Sequence, residues 1–129
     1  LASRFKYVGS MDRPQKISLL ESFDVMSVPT VYAESKGIYV LEAWASGVPV
    51  VLPAHGAFPE MIADTGGGLL CKPHDPQSLA DALRQMILDP QRAAQCGRKA
   101  QQAVHERYHA GRMAQQTIDL YRTVAGVPG

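Results

Sequence analysis

Pro29-Thr30-Val31-Tyr32-Ala33-Glu34-Ser35-Lys36-Gly37-Ile38-Tyr39-Val40-Leu41-Glu42-Ala43-Trp44-Ala45 is the stretch whose reading decides the fold. The apolar run Val25–Val28 ahead of it reads as a short buried strand stopped by Pro29. A polar loop follows, and a helix is expected from Gly37 to Ser46, ended by Gly47 at the usual terminating position. Val48-Pro49-Val50-Val51-Leu52 is then continuous and β-branched, the pattern of a strand covered on both faces. Strand, loop, helix and strand in that order make a parallel α/β unit, and Glu34 falls at the carboxyl end of its first strand. Ligands of open α/β sheets bind at that edge, where free amides and a helix dipole suit a phosphate. Glu42 is the second oddity, set between Ile38-Tyr39-Val40-Leu41 and Ala43-Trp44-Ala45 in a helix that reads as apolar on most sides. Carboxylates are rarely buried without a partner. Either a ligand satisfies Glu42, or it gains from the helix dipole and a neighbouring amide.

Working outward, Phe5-Lys6-Tyr7-Val8 reads as a strand closed by Gly9-Ser10, and Pro14 to Phe23 as a helix carrying Ile17, Leu19, Leu20 and Phe23. Downstream, Phe58 to Ala63 is a short helix, and Gly66-Gly67-Gly68 leads into the strand Leu69-Leu70-Cys71. Asp75-Pro76 starts an amphipathic helix with Leu79, Ala82, Leu83, Met86, Ile87 and Leu88. Asp89-Pro90 breaks it and opens another through about Tyr108, and Gly111 separates a last helix, about Arg112 to Val124. Strands alternating with helices predict an α/β class with a mostly parallel, Rossmann-like sheet and flanking helices. Neither repeats nor low-complexity tracts interrupt it.

The length of 129 residues suits one domain. Hydrophobic content of 46% and charged content of 19% are globular values, and a net charge of +1 offers no field for nucleic acid or an anionic membrane. Two cysteines, Cys71 and Cys96, in unlike settings do not make a disulfide scaffold, so a cytoplasmic location is expected. No apolar run approaches the ~18 residues that span a bilayer. Leu1-Ala2-Ser3-Arg4-Phe5-Lys6 lacks both a signal-peptide core and an initiator methionine, which reads as an excised or processed segment.

Three features compete for attention. His105-Glu106-Arg107-Tyr108-His109 fits the H-E-x-x-H zinc pattern, but only Asp119 follows as a third ligand and Gly111 is expected to end the helix at once. Gly66-Gly67-Gly68 precedes a strand rather than joining a strand to a helix, so it reads as a flexible turn and not a phosphate loop. His55 lies beside the expected pocket, and His74 reads as a turn residue.

Glu34 and Glu42, with seven residues between them, resemble the paired-glutamate motif of the family-four (group 1) retaining glycosyltransferases, which have two Rossmann-like domains, the GT-B architecture. The resemblance continues through Gly37, Leu41-Glu42-Ala43, Ala45-Ser46-Gly47-Val48-Pro49-Val50-Val51, His55-Gly56-Ala57-Phe58-Pro59-Glu60, Gly68-Leu69-Leu70 and Pro73-His74-Asp75-Pro76, covering roughly residues 5 to 123. It implies a C-terminal donor-binding domain, here residues 1–109 without its first two strands, and a C-terminal helix, residues 110–129, that would pack toward an absent N-terminal domain. The sheet would run three-two-one-four-five-six, with the missing strands between Phe5–Val8 and Val25–Val28. The resemblance also implies a longer chain, or self-pairing of the fragment to complete its sheet.

The function so implied is transfer of a sugar, hexosyl in type, from a nucleoside-diphosphate sugar to an unidentified acceptor with retention; the isolated segment is expected to be inactive. Glu42 would accept hydrogen bonds from ribose hydroxyls, and Glu34, the catalytic-site candidate, would orient the transferred sugar. Ser35, Gly37 and Ile38 would meet the diphosphate and sugar, and Met11 and Lys16 would border the base. The sequence departs from the family at Lys36, where an aromatic or apolar residue is usual. Lys36 either neutralises diphosphate charge or is a solvated loop lysine. Such enzymes usually need no metal and no cofactor, and the leaving diphosphate is thought to help deprotonate the acceptor. The alternative is a non-catalytic nucleotide-binding or interaction module on the same fold. An epimerase or phosphorylase would need different motifs around the phosphate.

Overall fold

A computed structural model describes residues 4–126. At its centre lies β2 (Val50–Pro53), every residue of which is buried. It pairs in parallel with β1 (Met26–Ser27) on one side and β3 (Gly68–Cys71) on the other, giving the order β1-β2-β3. Side chains alternate across a strand, so Val50 and Leu52 enter one core cluster and Val51 the other. The first cluster holds Val40, Ala43, Trp44, Phe58, Ala100 and Val104; the second holds Cys71, Ala82, Met86 and Ala93. That double cover is what the unbroken apolar run at 48–52 predicts.

The described residues form six helices: α1 (Arg13–Glu21), α2 (Ile38–Ala45), α3 (Phe58–Thr65), α4 (Pro76–Leu88), α5 (Pro90–Arg107) and α6 (Ala110–Ala125). Their starts are written locally. Asp12 accepts from the Gln15 amide at 2.9 Å while Gln15 Oε1 accepts from the Asp12 amide at 3.1 Å, a reciprocal capping box. Asp75 and Asp89 cap α4 and α5 by accepting from the amides of Ser78 and Arg92. The prolines after these caps lie in the first turn, where a missing N–H costs nothing.

Four expectations are corrected. Phe5–Val8 is not a strand: residues 5–9 are irregular and exposed, because no described strand stands beside them to complete a ladder. The break between the last helices falls at Tyr108–His109, and Gly111 lies inside the first turn of α6, whose cap is His109 Nδ1 accepting from the Arg112 amide at 3.2 Å. His105 and His109 therefore do not share a helix face, and the zinc-motif spacing is lost. The triple glycine is no loose turn either. The Gly67 carbonyl accepts from Trp44 Nε1 at 3.0 Å, and a side chain at Gly67 would collide with the Trp44 indole and Ala100. The absent side chain there lets the α3–β3 turn close over the tryptophan.

The fourth correction concerns α2. It buries Val40, Ala43 and Trp44 but leaves Ile38 exposed and Glu42 half-buried, so it is one-sided rather than apolar all round. No helix is long and apolar enough, among the described residues, to cross a membrane. The Leu1-Ala2-Ser3 stretch and the end of the 110–129 segment lie outside the described residues.

Candidate functional site

The segment between β1 and α2 runs along the carboxyl end of the sheet and holds Glu34 in a built socket. Glu34 Oε1 accepts from the amides of Ser35 at 2.9 Å and Lys36 at 3.1 Å. Glu34 Oε2 accepts from the Tyr39 hydroxyl at 2.8 Å. Donation by Tyr39 first, and by the Lys36 amide next, holds the Glu34 carboxyl below its ordinary value, while burial and Glu34 together raise the Tyr39 phenol. Glu34 is thus an ionised acceptor at neutral pH.

The backbone of Glu34 is fixed from across the sheet edge. Its carbonyl accepts from the Ala57 amide at 2.7 Å, in the loop that follows β2. Gly56 passes so close that a side chain there would strike the Glu34 backbone, and its φ of +57° is one that glycine alone adopts freely. In the same loop His55 Nε2 donates to the Thr30 carbonyl at 3.0 Å, and its buried Nδ1 has no hydrogen-bond partner among the described residues. His55-Gly56-Ala57 therefore clamps the Glu34 loop, a contact between segments that no local pattern reveals.

Gly37 is the pivot into α2. It takes the left-handed conformation, φ 58° and ψ 46°, and its carbonyl accepts from the Val40 amide at 2.9 Å to open the helix. This sharp entry brings Tyr39 back over the loop onto Glu34. One turn further on, Glu42 Oε1 accepts from Lys16 Nζ of α1 at 2.6 Å. The two side chains are 38% and 42% exposed respectively, so the expectation of a carboxylate sunk in an apolar helix is not met. The physical reason is the one-sided burial of α2: Trp44 and Val40 face the core while Glu42 turns toward α1. Glu42 Oε2 accepts no hydrogen bond among the described residues and remains open.

Of the sequence-predicted residues, Glu34, Ser35, Lys36, Gly37 and Ile38 form one continuous rim, and Lys16 and Glu42 meet each other beside it. Lys36, Ile38 and Glu42 also line one groove of about 710 Å³, with Tyr108, Met113 and Ile118 on its far wall. Met11 sits just ahead of the Asp12 cap, half-buried, and hydrogen-bonds none of these residues. Lys36 is exposed, and its amide rather than its ammonium meets Glu34. Sequence reasoning missed Tyr39; its place two residues into the helix after Gly37 is the only local clue. Among the described residues no group of three His, Cys, Asp or Glu side chains gathers to hold a metal.

On the opposite flank Asp64 ties α3 to the α5–α6 bend. Tyr108 donates to Asp64 Oδ2 at 2.7 Å, and Arg107 reaches the same oxygen at 3.3 Å and the Asp64 carbonyl at 2.8 Å. The Tyr108 hydroxyl, helped by Arg107, lowers the Asp64 carboxyl, while burial pushes the Tyr108 phenol up to about 12.

Comparison with known proteins gives a consistent set. Residues 1–103 match the family described as glycosyl transferases group 1. The chain is 34% identical over 126 residues to the phosphatidyl-myo-inositol mannosyltransferase of Mycolicibacterium smegmatis, covering 98% of this chain and 32% of that protein. It is 37% identical over 113 residues to the D-inositol 3-phosphate glycosyltransferase of Corynebacterium urealyticum, covering 87% and 26%. Among solved structures, sucrose-phosphate synthase from Thermosynechococcus elongatus superposes with a TM-score of 0.84 at 28% identity, covering 98% of this chain and 31% of that one. The chain spans about a third or less of the length of these relatives.

Proposed function

The chain belongs to the group 1 glycosyltransferases, and from that premise we propose that it is the donor-binding part of a retaining enzyme that moves a sugar from a nucleoside-diphosphate sugar to an acceptor. The observation that carries this reading is the arrangement of Glu34 and Glu42 along one rim. The first is an ionised carboxylate fixed by backbone amides at the sheet edge, and the second is an ion-paired carboxylate one helix turn beyond the loop. In the proposed complex Glu42 Oε2 accepts from ribose hydroxyls, a charge-assisted bond that Lys16 does not block because it holds only Oε1. Glu34 orients the transferred sugar. The amides around Gly37 and Ile38 face the diphosphate at the start of α2, where partial positive charge favours an anion. Lys36 and Lys16 add cationic charge nearby, and Met11 borders the base.

No protein nucleophile enters this scheme. Glu34 acts through position and charge, holding the donor near the geometry of reaction. The relatives are named for different acceptors, phosphatidyl-myo-inositol and D-inositol 3-phosphate among them. That variety agrees with an acceptor chosen by parts of the enzyme beyond this domain, and with a domain devoted to the donor.

The test is a titration of uridine, guanosine and adenosine diphosphates against the full-length protein and its Glu42→Ala variant. One nucleotide binds, and Glu42→Ala weakens it about tenfold or more, the worth of a hydrogen bond to a charged group. Equal binding of every nucleotide by both proteins would refute the ribose contact.

A further inference from the structure

Tyr39 lies among the seven residues between Glu34 and Glu42 but is not one of those that carry the resemblance, yet it makes one of the three hydrogen bonds to the Glu34 carboxylate. A carboxylate offers about four acceptor directions. Both directions of Glu34 Oε1 are taken by the amides of Ser35 and Lys36, and one direction of Oε2 by the Tyr39 hydroxyl. Among the hydrogen bonds of the described residues, a single acceptor direction, on Oε2, is left. The amides fix one oxygen only, and a carboxylate held at one oxygen can still swing the other. Tyr39, half-buried on α2 just past the left-handed Gly37, removes that freedom, because its ring is carried by the helix and not by the loop.

We propose that Tyr39 is the positioning residue of the donor-sugar site, locking Glu34 in one orientation and leaving it one open acceptor, directed at a single hydroxyl of the transferred sugar. This rests on the donor-site reading of Glu34. It goes beyond that reading in naming a residue that acts through Glu34 and in restricting how many sugar hydroxyls Glu34 can take. A loop staple with no part in transfer would show a different signature. Loss of a staple loosens the loop and the helix start together and so disturbs nucleotide binding. Loss of a positioning residue leaves the nucleotide in place and slows the step in which the sugar must be aligned.

The experiment compares Tyr39→Phe, Tyr39→Ala and Glu34→Gln in the full-length protein with its own donor and acceptor, together with nucleoside-diphosphate binding and melting temperature. Tyr39→Phe keeps the ring, so folding and nucleoside-diphosphate affinity stay within about twofold of the parent while kcat falls about tenfold and the donor KM changes little. Tyr39→Ala lowers kcat at least as far. The proposal is overturned if Tyr39→Phe retains the parent kcat while Glu34→Gln loses it. It is also overturned if Tyr39→Phe weakens nucleotide binding and melting in step with kcat, which is the staple's signature. Unimpaired transfer by Glu34→Gln would instead defeat the reading of Glu34 itself, and this proposal with it.

Discussion

Glu34 and Glu42 lie on either side of the same helix start, but the two regions that hold them are built on different plans. Around Glu34 every contact but the Tyr39 hydroxyl comes from backbone: the amides of Ser35 and Lys36, the Ala57 amide on its carbonyl, and the close pass of Gly56. Around Glu42 a single flexible side chain, Lys16, arrives from a helix distant in sequence, and both partners remain in contact with water. A site made from main chain and one short-tethered helix side chain is fixed as soon as the fold forms. A site made from two long side chains can exchange one partner for another at little cost. Under the proposed function, the first plan would hold a sugar in one pose, and the second would admit and release a nucleotide.

The comparison is broken most severely at Gly56. Gly56→Ala forces a side chain into the Glu34 backbone and demands a left-handed φ of alanine, so stability should fall by about 2 kcal/mol or more, read by denaturant unfolding. Donor-dependent activity should fall with it, since Glu34 is displaced. An unchanged midpoint would show that the loop is not clamped as described.

Acid sharpens the same contrast. The carboxyls of Glu34 and Asp64 are both held below their ordinary values, so each stabilises the fold above the unfolded pKa and loses that contribution as pH falls through the lower folded value. Melting temperature should therefore decline below about pH 4, and Asp64→Asn should flatten part of that decline while lowering stability at neutral pH. A parallel pH profile for the two proteins would remove the Tyr108 and Arg107 ties from the account.

The smallest effect belongs to Lys16. With both partners about two-fifths exposed, Lys16→Met should change stability by no more than about 1 kcal/mol, and that change should shrink in high salt. A larger and salt-insensitive loss would mean that the Glu42 region is as rigidly made as the Glu34 region.

The body of the fold was legible because periodicity and punctuation agree there. Val48–Leu52 reads as a doubly covered strand, which the structure places at Val50–Pro53, and Asp75-Pro76 and Asp89-Pro90 announce their helices in four residues. Phe5–Val8 misled because strand propensity says nothing about whether a neighbour is present to pair with. Glu42 misled for a related reason. The residues α2 buries, Val40, Ala43 and Trp44, face away from it, and Lys16, 26 residues away, is invisible to any local pattern. Gly37 and the paired glutamates could be picked out from spacing alone and fall along one rim, whereas the clamp by Gly56 and Ala57 and the tie to Tyr39 depend on which loops the sheet brings side by side.

One consequence of the α5–α6 bend concerns how the molecule comes apart. No side chain of α6 is buried, and a 16-residue helix without tertiary support is marginal in water. Amide protons of Met113 to Val124 should therefore exchange with solvent deuterium orders of magnitude faster than those of Gly97 to Val104 in α5, whose inner face is sealed in the core. Limited proteolysis should nick the chain first just past the Asp64–Tyr108 tie, and the body left behind should keep its cooperative melt.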